Sequence, residues 1–182
     1  MQNGTRQVRT VIVSDDQGLT PLLPPGRWPL GVEDLRQLTV DAFPRSARRP
    51  ALWAAFERAW RALAPLAREI HVGGSFVSSK LDPVDIDLLA VMRRDRFPSP
   101  AGCRPREVRE FLESAGFILG EHLGVDLTLA FEGDVAKLEG WLRWIEWGKP
   151  YLRTEATVNR GVALLRSRGP RHELTEPRVI SC

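Results

Sequence analysis

The chain has 182 residues, of which 43% are hydrophobic and 27% charged, a composition typical of a globular domain with a core of ordinary size. Its 26 Lys and Arg residues outnumber its 23 Asp and Glu residues, so its net charge of +3 permits a phosphate-bearing partner without requiring one. Two isolated cysteines, Cys103 and Cys182, argue against a disulfide scaffold or a zinc site, and the lack of a long apolar run or signal peptide predicts a cytoplasmic protein without a membrane span.

Residues 1–45 predict an N-terminal arm that includes a proline-rich segment. The run VRTVIV near the start is compatible with a short edge strand or with a disordered arm. The run PLLPPGRWP is too rich in proline for regular structure, and we expect it to lie along the surface with Leu22, Leu23 and Trp28 packed inward. One short helical stretch is expected within residues 31–43.

Residues 47–64 predict a strong amphipathic helix. Ser46 is the expected N-cap, and Pro50 suits the first turn of a helix. The apolar residues of this segment follow one another at spacings of four, four and three, which places them on one stripe: Leu52, Phe56, Trp60 and Leu63. This stripe is expected to face the core.

The remaining elements are three strands and two helices. They are strands at 69–74, 84–92 and 124–132 and helices at 104–119 and 134–148. The connection SFVSSKLDPV is too short for a helical crossover, so the first two strands are expected to pair as a hairpin with a long loop. The expected fold is therefore α/β (α+β), a mixed β-sheet with flanking helices over residues 46–165, followed by a polar tail at 166–182.

Two aspartates lie one residue apart in the apolar run VDIDLLAVM. Side chains alternate along a strand, so Asp85 and Asp87 point to one face while Ile86 and Leu88 point to the other. Two ionised carboxylates in a partly buried place repel each other unless a cation lies between them. An oxygen-only pair of this kind favours Mg²⁺ or Mn²⁺, whereas the plainer interpretation is a solvated pair at the end of a strand.

A glycine turn precedes this pair. Gly73 and Gly74 allow a ligand to approach the backbone closely, and Ser75 adds a hydroxyl group. The free N–H groups of such a turn can bind an anion. Lys80 could reach a phosphate, although a solvated loop lysine is an equal alternative. A phosphate site beside a divalent-metal site is the apparatus of phosphoryl or nucleotidyl transfer.

A third carboxylate, Asp126, lies in the later strand GVDLTLAFE. Val125 and Leu127 flank it and are expected to face the core, which directs Asp126 to the other side. If this strand lies beside the strand of the aspartate pair, three carboxylates converge. Asp82 and Asp95 are the competing candidates, but both lie in expected loops.

The run GGSFVSSKLDPVDIDLL resembles the signature of the DNA-polymerase-β-like nucleotidyltransferase superfamily, in which Gly-Ser precedes Asp-x-Asp on a strand and a third Asp lies on a later strand. The chain is also similar to small stand-alone bacterial nucleotidyltransferase-like proteins. The resemblance implies that Gly74 and Ser75 hold the triphosphate of an NTP and that Asp85 and Asp87 bind metal ions. It implies that Asp126 completes the metal site and helps to deprotonate an acceptor hydroxyl.

Three functions from different classes follow. The first is an enzyme that moves a nucleoside monophosphate from an NTP, such as ATP, to a hydroxyl of tRNA, protein or a small molecule; by resemblance, it could belong to a toxin–antitoxin or defence system. The second is a degenerate relative that only binds a nucleotide or metal. The third is an interaction module in which a tryptophan-rich helix docks a partner protein through Trp141, Trp144 and Trp147. Core or interface packing of these rings is expected ahead of stacking on nucleic-acid bases. His71 is expected to be a core or rim histidine with its hydrogen bonds satisfied, in preference to a base.

Overall fold

A five-stranded sheet organises the computed structural model, which describes residues 20–96, 124–147 and 161–166. The strands are β1 (Gly26–Pro29), β2 (Ala67–Gly73), β3 (Ile86–Met92), β4 (Val125–Phe131) and β5 (Gly161–Arg166). The helices are α1 (Val32–Arg36), which continues into a π-helical turn at Gln37–Asp41, α2 (Arg49–Leu63) and α3 (Val135–Trp147). Short 3₁₀ turns follow β2 at Gly74–Val77 and β3 at Arg94–Arg96.

The strand order in the sheet is β1-β5-β2-β3-β4. Strand β2 is antiparallel to both of its neighbours, β3 and β5, while β1 pairs with β5 and β3 pairs with β4 in parallel. The prediction of a mixed sheet with flanking helices is confirmed. The expected antiparallel pairing across the connection SFVSSKLDPV is confirmed as well.

Helix α2 covers one face of the sheet and forms the larger part of the core. Leu52, Phe56 and Leu63 are buried and Trp60 is half-buried, as the predicted apolar stripe requires. The strand residues on this face are apolar and buried: Ile70, Val72, Ile86, Leu88, Ala90, Val125, Leu127, Leu129, Ala163 and Leu165. Burial of this continuous apolar surface is the main source of stability for the fold.

The start of α2 differs slightly from the prediction. The helix begins at Arg49 with Arg48 as its N-cap residue, not Ser46. The Ser46 hydroxyl still accepts hydrogen bonds from the backbone N–H of Arg48 (3.2 Å) and Arg49 (3.0 Å). Ser46 thus satisfies N–H groups that the first helical turn leaves without intrahelical partners.

Helix α3 covers part of the opposite face. Leu89 and Ala130 of the sheet pack with Trp141 and Leu142 of this helix, together with Val162 of β5. The expectation that Trp141 packs in the core is confirmed. The side chains of Trp144 and Trp147 lie outside the described residues.

The prediction that the segment at 21–29 is irregular is wrong for Gly26–Pro29, which form the edge strand β1, and is confirmed for residues 21–25. Gly26–Pro29 pairs in parallel with β5. Proline is tolerated there because β1 lies at the edge of the sheet, where a missing N–H interrupts no second ladder. The inward packing of this segment is confirmed, since Leu23 is buried and both Leu22 and Trp28 are half-buried.

Strand β5, with the sequence GVALLR, was not predicted, although five of its six residues are buried. It lies between β1 and β2, so both of its edges are paired. The predicted helix at 104–119, the run VRTVIV, and residues 167–182 of the expected tail lie outside the described residues. No helix within the described ranges is long and apolar enough to span a bilayer.

Candidate functional site

The first feature of the candidate site is the register between β3 and β4. Asp87 and Asp126 are direct partners in this parallel pair, so their side chains start from adjacent strands on the same face of the sheet. Adjacent strands lie about 4.8 Å apart. The expected position of the third aspartate beside the Asp-bearing strand is confirmed, as is the burial of its neighbours Val125 and Leu127 on the opposite face.

Asp85 lies immediately before β3 and is half-buried. The prediction that Asp85 lies within the strand is not confirmed, because β3 begins one residue later, at Ile86. Asp87 is half-buried and Asp126 is exposed. Asp87 and Asp126 therefore mark one edge region of the sheet face that α3 partly covers, and Asp85 precedes that region in the chain.

The second feature is the contact between Gly74 and Asp87. Gly73 pairs with Asp87 across β2 and β3, and Gly74 follows with a φ of +72°, a conformation that side-chain-bearing residues rarely adopt. A Cβ atom at position 74 would overlap Oδ2 of Asp87 and lie 2.7 Å from its Cγ. Glycine at 74 is therefore needed twice, for its φ angle and for the space that the Asp87 carboxylate occupies.

The connection from Gly74 to Asp82, which we call the 74–82 loop, leads from the glycine turn towards the aspartates. Its first residues form the 3₁₀ turn, in which the Ser75 carbonyl accepts bonds from the Ser78 hydroxyl (2.7 Å) and backbone N–H (3.2 Å). Ser75 itself is half-buried, and its hydroxyl makes no hydrogen bond within the described part of the chain. Lys80 is also half-buried. Both residues are thus close in sequence to the glycine turn and partly accessible.

Asp82 ends this loop and has a structural role. Its carboxylate accepts hydrogen bonds from the Ser46 hydroxyl (2.7 Å) and the Arg48 backbone N–H (3.3 Å) at the start of α2. These bonds, with the Ser46 bond as the largest contribution, lower the pKa of Asp82. A carboxylate at a helix N-terminus is favourable there, and this explains why Asp82 does not belong to the aspartate set.

His71 lies on the same sheet face, two residues before Gly73, and only 1% of its surface is exposed. Among the described residues, neither ring nitrogen has a hydrogen-bond partner, and the ring centroid lies 6.4 Å from that of Trp141. Burial, with a smaller effect from Arg27, lowers the pKa of His71 to about 4. Its Nε2 is 3.6 Å from Oε2 of Glu69, but a neutral ring at that distance forms no ion pair. The predicted burial of His71 is confirmed, but the prediction that its ring nitrogens have hydrogen-bond partners is not met within the described residues.

The donor atoms suit a hard divalent cation. Asp85, Asp87 and Asp126 supply only oxygen ligands, which Mg²⁺ and Mn²⁺ prefer. The space that a side chain at Gly74 would need is filled by the Asp87 carboxylate itself. In the described residues, however, no three His, Cys, Asp or Glu side chains are gathered closely enough to form a complete metal-binding group. The chemistry of the three aspartates suits such an ion, whereas their arrangement does not form a complete site, and metal binding stays a prediction.

A surface cleft of about 650 Å³ lies elsewhere, beside the N-terminal half of α2. Its lining consists of Ala47, Arg48, Ala51, Leu52, Arg58, Asp82 and Gly124. None of the three candidate aspartates lines it, and Asp87 and Asp126 lie on the opposite face of the sheet from α2. We therefore place the candidate site at the aspartates and the glycine turn and not in this cleft.

Sequence reasoning missed Arg49, whose guanidinium is completely buried behind the 74–82 loop. The sequence spacing could have predicted this burial. Arg49 precedes Leu52 by three residues and Phe56 by seven, so it extends the apolar stripe of α2 by one turn. A charged residue on an apolar stripe indicates a buried group with dedicated partners.

A family model matches residues 17–161, and its description is "Family of unknown function (DUF6932)". The chain belongs to this family. The part matched by DUF6932 includes Arg49, the glycine turn and all three aspartates. No curated protein and no solved structure matches the chain significantly. Membership of DUF6932 assigns no activity, so a function must be argued from the chemistry of the site.

Proposed function

We propose that the chain is a metal-dependent nucleotidyltransferase that moves a nucleoside monophosphate from an NTP to an acceptor hydroxyl. The observation that carries this proposal is the position of Asp87, which lies against Gly74 on one side and is in register with Asp126 on the other. A turn able to bind phosphate is thereby next to carboxylates on two adjacent strands. This combination of groups is what the reaction needs.

Each residue has a separate task in the proposed reaction. The N–H groups around Gly74 and the Ser75 hydroxyl bind the phosphates, and Lys80 adds positive charge nearby. Asp85 and Asp87 hold the divalent ion, which neutralises negative charge on the triphosphate when it is bound. The oxygen of the acceptor hydroxyl bonds to the α-phosphorus, the bond between that phosphorus and the bridging oxygen breaks, and pyrophosphate leaves.

Asp126 is the proposed proton acceptor. It is the most exposed of the three aspartates, so an incoming acceptor hydroxyl can reach it from solvent. The hydroxyl proton passes to its carboxylate as the new bond to phosphorus forms. Asp126 also completes the set of oxygen ligands around the ion in this proposal.

The test is label transfer. The protein is incubated with each α-labelled NTP, Mg²⁺ or Mn²⁺, and total cellular RNA or protein, and the labelled acceptor is isolated. Asp87→Asn should abolish labelling, whereas Asp95→Asn, which removes an exposed carboxylate in the Arg94–Arg96 turn, should leave it unchanged. Labelling that persists at the wild-type level in Asp87→Asn would refute the assignment.

A second candidate is a nucleotide-binding protein without transfer activity. It is favoured by the exposure of Asp126 and by the absence, within the described ranges, of a closed group of metal ligands. Calorimetry separates the two candidates, because this one predicts Mg²⁺-dependent NTP binding without label transfer to any acceptor. A protein-interaction module predicts neither.

A further inference from the structure

Arg49 makes an unusual set of contacts. Its side chain is fully buried, and three of its nitrogen atoms donate to five backbone carbonyl oxygens. The bonds run from Nε to Leu81 (3.2 Å), from Nη1 to Thr39 (2.6 Å) and Phe76 (2.8 Å), and from Nη2 to Ser78 (2.7 Å) and Lys80 (2.6 Å). A guanidinium has five N–H donors, so every donor has an acceptor here.

The charge of Arg49 is stabilised without a direct carboxylate partner among the described residues. The guanidinium carbon lies 3.8 Å from the ring centroid of Phe43 and 5.3 Å from that of Phe76. Burial lowers the pKa of Arg49 to about 10, with a smaller opposing effect from Asp82. The side chain is therefore still a cation at neutral pH, and the carbonyl dipoles and ring faces compensate for its removal from water.

Four of the five carbonyls belong to the 74–82 loop, at positions 76, 78, 80 and 81. Every described peptide bond is trans, so each N–H points away from the carbonyl of its own peptide group. A carbonyl that faces Arg49 therefore directs the next N–H outward, as at Ser79, whose N–H donates to the Thr20 carbonyl at 2.7 Å. One side chain thus sets the direction of four peptide groups between the glycine turn and the aspartates.

We propose that Arg49 is a positioning residue that holds the 74–82 loop in the shape that binds nucleotide phosphates. It acts through the backbone of the loop and does not touch the substrate. The inference rests on the proposed function for its ligand, but its structural part, control of the loop by one buried guanidinium, does not. Without the guanidinium, four loop carbonyls lose their hydrogen-bond donor, and the loop samples other conformations.

The test compares Arg49→Lys with Arg48→Lys. A lysine at 49 keeps the charge but offers three donors from one atom, which cannot meet carbonyls spread around a planar fork. Arg48 is the matched control, since it is exposed and its side chain makes one bond to the Val84 carbonyl (2.9 Å). We expect amide hydrogen exchange in the 74–82 loop to be at least ~10-fold faster in Arg49→Lys, with exchange in β3 and β4 unchanged.

Nucleotide kinetics give the second measurement. Arg49→Lys should raise KM for the NTP by about 10-fold while kcat falls by less than about 3-fold, because the loop can still adopt the binding shape once the nucleotide is present. Arg48→Lys should change neither. A folded Arg49→Lys protein with normal loop exchange would overturn the inference, and so would faster loop exchange with an unchanged KM.

If Arg49→Lys does not fold, a milder variant tests whether the Arg49 guanidinium controls the 74–82 loop. Phe43→Leu removes the ring nearest the guanidinium but leaves every donor in place, and it should speed loop exchange about 3-fold. No change in Phe43→Leu would then contradict the inference. A failure of the proposed function gives a different result. Wild-type protein would then bind no NTP, while the faster loop exchange in Arg49→Lys would still be observed.

Discussion

The two faces of the sheet differ in what they contribute. The face under α2 is a continuous apolar surface that includes Val72, Ile86 and Leu88. The face under α3 carries a small apolar cluster at Leu89 and, beyond it, polar side chains that the core does not need. One face of these strands therefore provides most of the stability, whereas the other carries polar side chains outside the core. Substitutions of core residues on the α2 face should therefore mainly lower the free energy of unfolding, whereas substitutions of the aspartates on the α3 face should mainly lower transfer activity.

The largest effect on stability is expected from Phe56→Ala, on the α2 face. Phe56 is completely buried, and its truncation should lower the free energy of unfolding by about 4 kcal/mol through lost burial and the cavity that remains. Urea denaturation measures this change, with Arg58→Ala on the exposed side of the same helix as the control, at less than about 0.5 kcal/mol. A loss under about 1 kcal/mol would show that the α2 face is not the main core.

The next effect concerns His71 on the α3 face and depends on pH. The pKa of His71 is about 4 in the folded protein and 6.5 ordinarily, so the unfolded chain binds a proton between these values that the folded protein does not. Stability should therefore fall as pH falls from 6.5 to 4, by about 3 kcal/mol, and this contribution should level off below pH 4.

Denaturation at a series of pH values in the variant His71→Leu provides the check, because the variant should lack this slope. The lowered pKa values of Asp82 and Glu132 affect a different range, since the stability they contribute is lost only as pH falls below the ordinary carboxylate values. Equal slopes in wild type and His71→Leu above pH 5 would contradict the prediction.

Gly74→Ala should have an intermediate effect on stability and a large effect on ligand binding. An alanine there must adopt a positive φ and displace the Asp87 carboxylate, which should cost about 2–3 kcal/mol. Gly133→Ala is a matched control, because Gly133 has a φ of +88° with no atom near the added Cβ, and it should cost about 1 kcal/mol. Only Gly74→Ala should weaken Mg²⁺-dependent NTP binding, as calorimetry would show; equal losses in both variants would separate Gly74 from the site.

The smallest effect on stability is expected from Asp126→Asn. The side chain is exposed, so the free energy of unfolding should change by less than about 0.5 kcal/mol. Transfer should nevertheless fall at least ~100-fold while NTP affinity stays within a few-fold, because a lost proton acceptor slows the reaction without removing phosphate contacts. A matched fall in affinity and rate would assign Asp126 to binding instead.

Periodic patterns predicted much of this fold. The stripe of Leu52, Phe56 and Leu63 and the alternation around Asp85 and Asp87 identified α2 and β3, because each pattern arises within one element. Strand β1 was missed because Gly26 and Pro29 disfavour strands locally, and its pairing depends on a partner far along the chain. Strand β5 was missed because a short apolar run does not by itself distinguish strand from helix.

The site was predictable to a similar extent. The alternation around Asp126 predicted which face it occupies, whereas its adjacency to Asp87 was a condition that only the strand order of the sheet fulfils. The packing of Gly74 against Asp87 was not predictable, because it depends on a positive φ at the end of β2. The five carbonyl partners of Arg49 were not predictable either, since the path of an irregular loop has no period.

The pairing of β1 with β5 has a consequence for how the protein folds. Gly26 is the partner of Gly161, so 135 residues (161 − 26) separate two strands that must meet in parallel. Closing so long a segment costs entropy before any contact compensates for it, and such pairings slow folding. During synthesis, β1 must wait until β5 has emerged from the ribosome, while α2, β2 and β3 can already assemble. The N-terminal edge of the sheet should therefore be the last part of the protein to form.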